Sequence, residues 1–309
     1  MLRYTLRRLG FAVLTLWVII TLTFLIMHAI PGDPFLSEKK VPQAIRNNIL
    51  AKYGLDRPIG EQYVIYLKNV LRGELGISMI QQTQTVNKMI REGFPVSATL
   101  GAEALTFAII TGLSLGVIAA LNQNRAWDYT AIIIAIIGVS VPNFVVASLL
   151  QYFLGVKLKI LPVARWGDFQ HSILPAFSLG LGTLAIMARM MRTTMLEVIN
   201  QDYIRTAKAK GLNQVEVVWS HAIRNSILPI VTILGPLTAN IITGTLVVEQ
   251  IFGIPGLGKY YVESISNRDY TLILGTTIFY ATILVISIFL VDLSYSFIDP
   301  RIRLVRGKE

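Results

Sequence analysis

Residues 9–30 read LGFAVLTLWVIITLTFLIMHAI, an unbroken run without Asp, Glu, Lys or Arg. As a helix rising 1.5 Å per residue it covers about 33 Å, enough to cross a hydrocarbon core of roughly 30 Å. Arg3, Arg7 and Arg8 stand before it. The run exceeds the roughly 7–15-residue apolar stretch of a cleaved signal peptide, and no small-x-small site comes after it. It therefore reads as a transmembrane helix.

The rest of the chain agrees with that reading. Of 309 residues, 53% are hydrophobic and only 15% charged, against about 25% charged in an average soluble protein. Mean hydropathy is +0.59. So few charges cannot coat a soluble globule, and disorder, a collagen-like fibre and a coiled coil fall on the same composition. Five more apolar runs are present, at about 97–121, 131–155, 172–191, 227–251 and 271–294. The expected fold is an all-α polytopic membrane protein with six transmembrane helices. Pro142 interrupts the third run, a break tolerated where neighbouring groups satisfy the freed backbone. Gly112 and Gly116 form a small-xxx-small pair suited to close helix packing. The absence of Cys excludes a disulfide framework, an iron–sulfur or thiolate zinc site and a Cys nucleophile. No metal-binding or catalytic residues are expected, since His28, His171 and His221 are scattered and no Ser/His/Asp arrangement can be inferred from spacing.

The net charge of +10 could signal nucleic acid in a soluble protein. In a membrane protein it marks cytoplasmic segments. Fourteen Lys and Arg residues fall in one set of short segments, including both termini. The opposite short loops hold five: Lys157, Lys159, Arg165, Lys259 and Arg268. Both termini are therefore expected in the cytoplasm, in a multi-pass bacterial or archaeal inner-membrane protein contacting lipid and no nucleic acid. The expected division is residues 1–30, tail and first span; 31–96, an extracytoplasmic helical domain; 97–298, a five-helix core including a cytoplasmic loop at 189–226; and 299–309, a cytoplasmic tail.

Residues 31–96 are too long for a bare connection. Pro42 opens one helix, with Ile45, Ile49 and Tyr53 on its apolar face and Gly54 at its end. Pro58 opens a second, with Ile59, Tyr63, Tyr66 and Val70 at helical spacing, ended by Gly73. Residues 85–93 suit a third. Such a cap either covers helix ends, touches a partner or gates an entrance.

The loop at 189–226 exceeds what a helix hairpin needs. Asp202-Tyr203-Ile204-Arg205-Thr206-Ala207-Lys208-Ala209-Lys210-Gly211 reads as a short helix, with basic residues near its C-terminus and a Gly suited to a left-handed stop. Asn213 then begins a second helix, with Glu216 placed for a capping box. Leu212, Val215, Val218, Trp219, Ala222 and Ile223 fall on one face at helical spacing. Two short helices joined at a Gly turn make a knob that either lies on the membrane surface or docks with a cytoplasmic partner; its Ala content favours close protein contact.

This segment resembles the cytoplasmic coupling motif of ABC-importer permeases, Glu-Ala-Ala, three residues, then Gly. The matching positions are Arg205, Thr206, Ala207 and Gly211. The fuller pattern, Asp202 to Gly211 and then His221-Ala222-Ile223-Arg224-Asn225, is similar to that of the dipeptide/oligopeptide permeases. Pro31-Gly32-Asp33-Pro34, Tyr53-Gly54-Leu55-Asp56-Arg57-Pro58, Phe94-Pro95-Val96-Ser97, Ile173-Leu174-Pro175-Ala176, Pro255-Gly256-Leu257-Gly258, Arg268-Asp269-Tyr270 and Asp299-Pro300-Arg301 match the family in order. The chain resembles the B-type membrane subunit of a dipeptide/oligopeptide importer; nickel and glutathione importers use the same pattern. The resemblance implies a type I importer permease fold and a heterodimer with a related second permease. It also implies two cytoplasmic ATPases that carry the ATP and Mg, an extracytoplasmic substrate-binding protein and peptide cargo. The chain itself would bind no cofactor. Asp202, Tyr203, Ile204, Arg205, Thr206, Ala207, Lys208, Ala209, Lys210, Gly211, His221 and Arg224 would couple to an ATPase.

Glu103, Asn143 and Glu249 lie in or near spans and are candidates for the translocation path. For the two carboxylates the alternative is a pairing with another helix. Gly253-Ile254-Pro255-Gly256-Leu257-Gly258-Lys259-Tyr260 nearly spells a phosphate-binding loop, but Tyr260 stands where Ser or Thr must meet magnesium. It reads instead as a Gly/Pro-rich external turn. The contrasting function class is a self-sufficient ion-coupled transporter or channel, for which paired inverted repeats would be expected. No clear internal repeat is present, and such a protein has no need of a patterned cytoplasmic knob.

Overall fold

The computed structural model describes residues 2–29, 54–243 and 245–298, and the regular structure among them is helical apart from one antiparallel bridge between Ile77 and Thr85. The Pro42 helix and the motifs at 31–34 and 299–301 lie outside the described residues. In chain order the helices are α1 (Leu2–Ala29), α2 (Ile59–Leu71), α3 (Val86–Leu121), α4 (Ala126–Ser140), α5 (Asn143–Leu150), α6 (Phe169–Ile199) and α7 (Asp202–Ala209). Next come α8 (Gln214–Ser226), part of it π-helical, then α9 (Leu228–Thr243), α10 (Thr245–Phe252), α11 (Leu257–Ser266) and α12 (Tyr270–Ile298).

Four helices are long and apolar enough to cross a membrane alone: Thr5–Ala29, Val86–Leu121, Phe169–Ile199 and Tyr270–Leu290. Two bent pairs raise the number to six if each is one span. The third apolar run is interrupted at Pro142, as its sequence directs. It divides at Pro142 into α4 and the stretch Asn143–Lys157, which diverge by 105°. Proline supplies no N–H to the carbonyl four residues back, so the helix ends at Ser140 and restarts with Pro142 at its N-cap. Its last part, Gln151–Lys157, is π-helical. A second bend, of 52°, stands just before the fifth run, between Gln214–Ser226 and Leu228–Ile241. Two expected elements merge instead. The stretch at 85–93 is the start of α3, which continues through Pro95 without a stop. α11, within the stretch expected only as a turn, is a ten-residue helix capped by Gly256.

The chain forms two compact units, one of residues 1–95 with 256–285, the other of residues 96–255 with 286–309. In the first, α2 packs on α1 through Tyr63 and Tyr66 of the expected face, while Ile59 at its start is exposed. Phe24 is 3% exposed and its ring meets those of Tyr63 and Tyr66 at centroid distances of 5.4 and 5.5 Å. Thr21 Oγ1 and the Tyr63 hydroxyl lie 2.7 Å apart, and His28 Nε2 is 3.0 Å from Gln62 Oε1. Burial raises the Tyr66 phenol above its ordinary pKa. Asp269 is buried and accepts from Ser78 Oγ and from the N–H groups of Met79 and Leu272, both at 3.1 Å.

In the second unit α6 is the central post. Its buried residues face in several directions, from Ser172 to Met195. Helix α3 closes on it through the expected small pair. A Cβ on Gly116 would stand 2.6 Å from the Met191 Cβ and 2.7 Å from the Ala188 carbonyl oxygen, and one on Gly112 would stand 2.9 Å from the Leu184 oxygen. Asp128, at the start of α4 and 1% exposed, takes a bidentate ion pair from Arg192 of α6, with Nη2 2.8 Å from Oδ2. The Asn124 N–H adds a third donor at 2.9 Å.

Candidate coupling site and helix-break cavity

The knob is built as the residues direct. Asp202–Ala209 is helical, Gly211 turns the chain at φ +87°, and Asn213 caps the next helix. Asn213 Oδ1 accepts from the Glu216 N–H at 2.9 Å, while Glu216 Oε2 accepts from the Asn213 N–H at 3.1 Å. Ile204, Ala207 and Val217 form a small core with Val198 and Leu212 packed against it. Ala207 therefore faces the knob's own interior. Asp202, Tyr203, Arg205, Thr206, Lys208, Ala209, Lys210, Gly211 and Arg224 are exposed, and His221 is half-buried. Asp202 and Arg205 stand 3.5 Å apart in water, a pair worth at most about 1 kcal/mol.

The single apolar face expected for α8 is split. Val217–Ile223 is π-helical, which adds a residue to the turn and rotates the helix face beyond it. Val217, Val218 and Ala222 are buried, whereas Val215 and Trp219 are 65% and 67% exposed. Val218 and Ala222 join Met187, Met191 and Met195 of α6 and Ile230 and Leu237 of α9 in one core. The knob is thus continuous with the helical post, while Tyr203, Val215 and Trp219 present apolar surface outward. Val215 and Trp219 are exposed apolar residues that the sequence reading left out of its candidate coupling set. The signal for them was a Trp in a polar loop, hidden by the assumption of uniform α-helical spacing.

The three candidate path residues are not brought together. Glu249 is 1% exposed and accepts a hydrogen bond from Ser97 Oγ at 2.5 Å, an inter-helix pairing of α10 with α3. Glu103 is half-buried on α3, its Oε2 covered and without a hydrogen-bond partner. Asn143 opens α5 and lines a cavity of about 270 Å³ at the Pro142 break. Gly138, Ser178, Thr183 and Asn240 also line it, and no ionisable side chain does. Among the described residues no group of three or more His, Cys, Asp or Glu is placed to hold a metal. The Gly253–Tyr260 stretch comes after a helix, α10, where a phosphate-binding loop comes after a strand.

Two solved structures share the fold. A chain of an amino acid ABC transporter with histidines superposes at a TM-score of 0.52 with 15% identity, covering 68% of this chain and 94% of that one. A chain of the MetNI methionine ABC transporter in an inward-facing conformation gives 0.53 and 18%, with the same coverage. Among sequences, the dipeptide transport system permease protein DppB of Bacillus subtilis is 49% identical over 304 residues, 98% of this chain and 99% of that protein. The oligopeptide transport system permease protein OppB of Haemophilus influenzae is 42% identical over 305 residues, and that of Escherichia coli 43%, each covering 98% of this chain and 100% of that protein. Residues 1–101 match the N-terminal model of the binding-protein-dependent transport system membrane components, and residues 112–304 match the model of the inner membrane component itself. With both models met in order and near-full-length relatives above 40% identity, this chain belongs to the binding-protein-dependent transport system inner membrane component family, the multi-pass permeases of ABC transporters.

Proposed function

We propose that this chain is the membrane-spanning permease subunit of an ATP-driven importer of dipeptides or oligopeptides. It would form half of the translocation path beside a related second permease. Cargo arrives from an extracytoplasmic binding protein. Two cytoplasmic ATPases hold the ATP and Mg, and this chain carries out no chemistry of its own. Both termini and the knob face the cytoplasm, as the 14-to-5 partition of Lys and Arg in short segments indicates. The cargo class is taken from the relatives named for dipeptide and oligopeptide transport.

The observation that carries the coupling role is the apolar surface that Tyr203, Val215 and Trp219 each expose on a knob whose own interior is already filled. Aromatic anchors of this kind dominate protein contacts. ATP-driven approach of the two ATPases would push on this surface, and the shared core with α6 passes the push into the spans. The test is purification of the tagged chain with its partners from the native membrane, and then peptide uptake in proteoliposomes. Trp219→Asp and Val215→Asp, both on exposed positions, are expected to insert normally, release the ATPases and lower uptake at least tenfold. Full uptake and full ATPase retention in both variants would remove the docking role from the knob.

A further inference from the structure

The cavity at the Pro142 break contains polar groups that the fold leaves unused. Every other Ser or Thr hydroxyl on α6 bonds back to a carbonyl three or four residues earlier: Ser172 to Phe169, Ser178 to Leu174 and Pro175, Thr193 to Arg189, Thr194 to Met190. Thr183 does not. It is 6% exposed, lines the cavity, and its hydroxyl has no partner among the described residues. The Asn143 amide, also on the lining, is likewise unpartnered among the described residues. The backbone adds to both. The Gly138 carbonyl would ordinarily accept from residue 142, which is a proline without an N–H. It faces Gly182, 3.4 Å from where a Cβ would lie. In the eight-residue α5 the Val145 and Val146 N–H groups donate to the Pro142 carbonyl, which leaves those of Asn143 and Phe144 without a backbone acceptor.

Together these are neutral donors and acceptors around a space of about 270 Å³, just under the usual roughly 300–1,000 Å³ of small-molecule pockets. A charged group would find no counter-ion on the lining, and leaving it unpaired is unfavourable. One peptide unit, with a single N–H and a single C=O, matches that polarity and is small enough to enter the space. We infer that this cavity is a transit subsite for the main-chain peptide group of the cargo, with Thr183 and Asn143 as its side-chain contacts. It reads backbone and leaves cargo side chains unselected. The inference rests on the reading of the chain as a peptide-importer permease.

The test uses the complete importer in proteoliposomes, with its own binding protein, second permease and ATPases. A dipeptide carrying a diazirine is the probe, and it is photolysed during ATP turnover. Crosslinks are expected at residues 138–143 and 183, lost when ATP is withheld. In parallel, Thr183→Val keeps the shape and removes the hydroxyl, and Thr183→Ser restores it. Val is expected to slow dipeptide uptake roughly two- to tenfold, the worth of one neutral hydrogen bond, and Ser to recover most of the rate. A packing role would give the opposite order, since Val preserves the methyl contact. Normal uptake with crosslinks confined elsewhere, or a Val variant as fast as the parent, overturns the subsite and leaves the importer reading intact. Failure of the parent complex to move any dipeptide or oligopeptide overturns both.

Discussion

Single residues decide the shape of the knob. Gly211 sits at φ +87° with nothing within 4 Å of where a Cβ would lie, so any penalty for a side chain there is conformational rather than steric contact with neighbours. A β-branched residue at positive φ costs about 1–3 kcal/mol, set against a small core of Ile204, Ala207 and Val217. Gly211→Val should leave membrane abundance unchanged and abolish both ATPase co-purification and uptake, while Gly211→Asn, which tolerates this region, keeps most of both. Equal activity in the two variants would separate the turn from coupling. Gly211 and the Asn213–Glu216 box were legible in the sequence because their chemistry is complete within a few residues. The Asp128–Arg192 pair was not, since 64 positions separate its partners and nothing local marks either one. Thr183 was equally hidden: only the structure tells a hydroxyl that bonds its own helix from one that does not.

Elements were legible where hydrophobicity alone forms them, and misread where a helix changes its pitch or direction. The apolar runs locate α1, α3, α6 and α12, and Pro142 marks the break in the third run, yet the 105° size of that divergence and the π-helical turns at Gln151–Lys157 and Val217–Ile223 have no counterpart in residue spacing. Helix pairing is the exception. Gly112 and Gly116 pointed to a close contact, and α6 fills it. The contact at Gly116 includes the Ala188 carbonyl oxygen, 2.7 Å from an added Cβ, and main chain cannot swing aside as a side chain can. Gly116→Leu should therefore lower the detergent-solubilised melting temperature by several degrees, as overpacking by about 1–3 kcal/mol would. Gly10→Leu on α1, where nothing lies within 4 Å, should leave it unchanged. Equal melting of the two variants would mean that α3 and α6 are not closed together at this point in the membrane.

At the scale of the whole molecule, charge rather than packing sets direction. Because the chain contains no Cys, single introduced thiols report sidedness without background. With an impermeant maleimide on sealed cells, Glu74→Cys should label at once and Gln214→Cys only after permeabilisation; both positions are exposed. Labelling of Gln214→Cys in sealed cells would invert the proposed orientation. The long post α6 then has a mechanical meaning. Its 31 residues make a rod of about 46 Å, against a hydrocarbon core of roughly 30 Å. Met191 and Met195 near one end share a core with the knob, and Gly112 and Gly116 clamp the rod. Gly116 meets Met191 itself, so clamp and knob grip the same end of the rod. On the proposed coupling reading, a tilt of about 5° imposed at that end would move the far end, near Phe169, by about 4 Å, with α3 carried along where it is gripped.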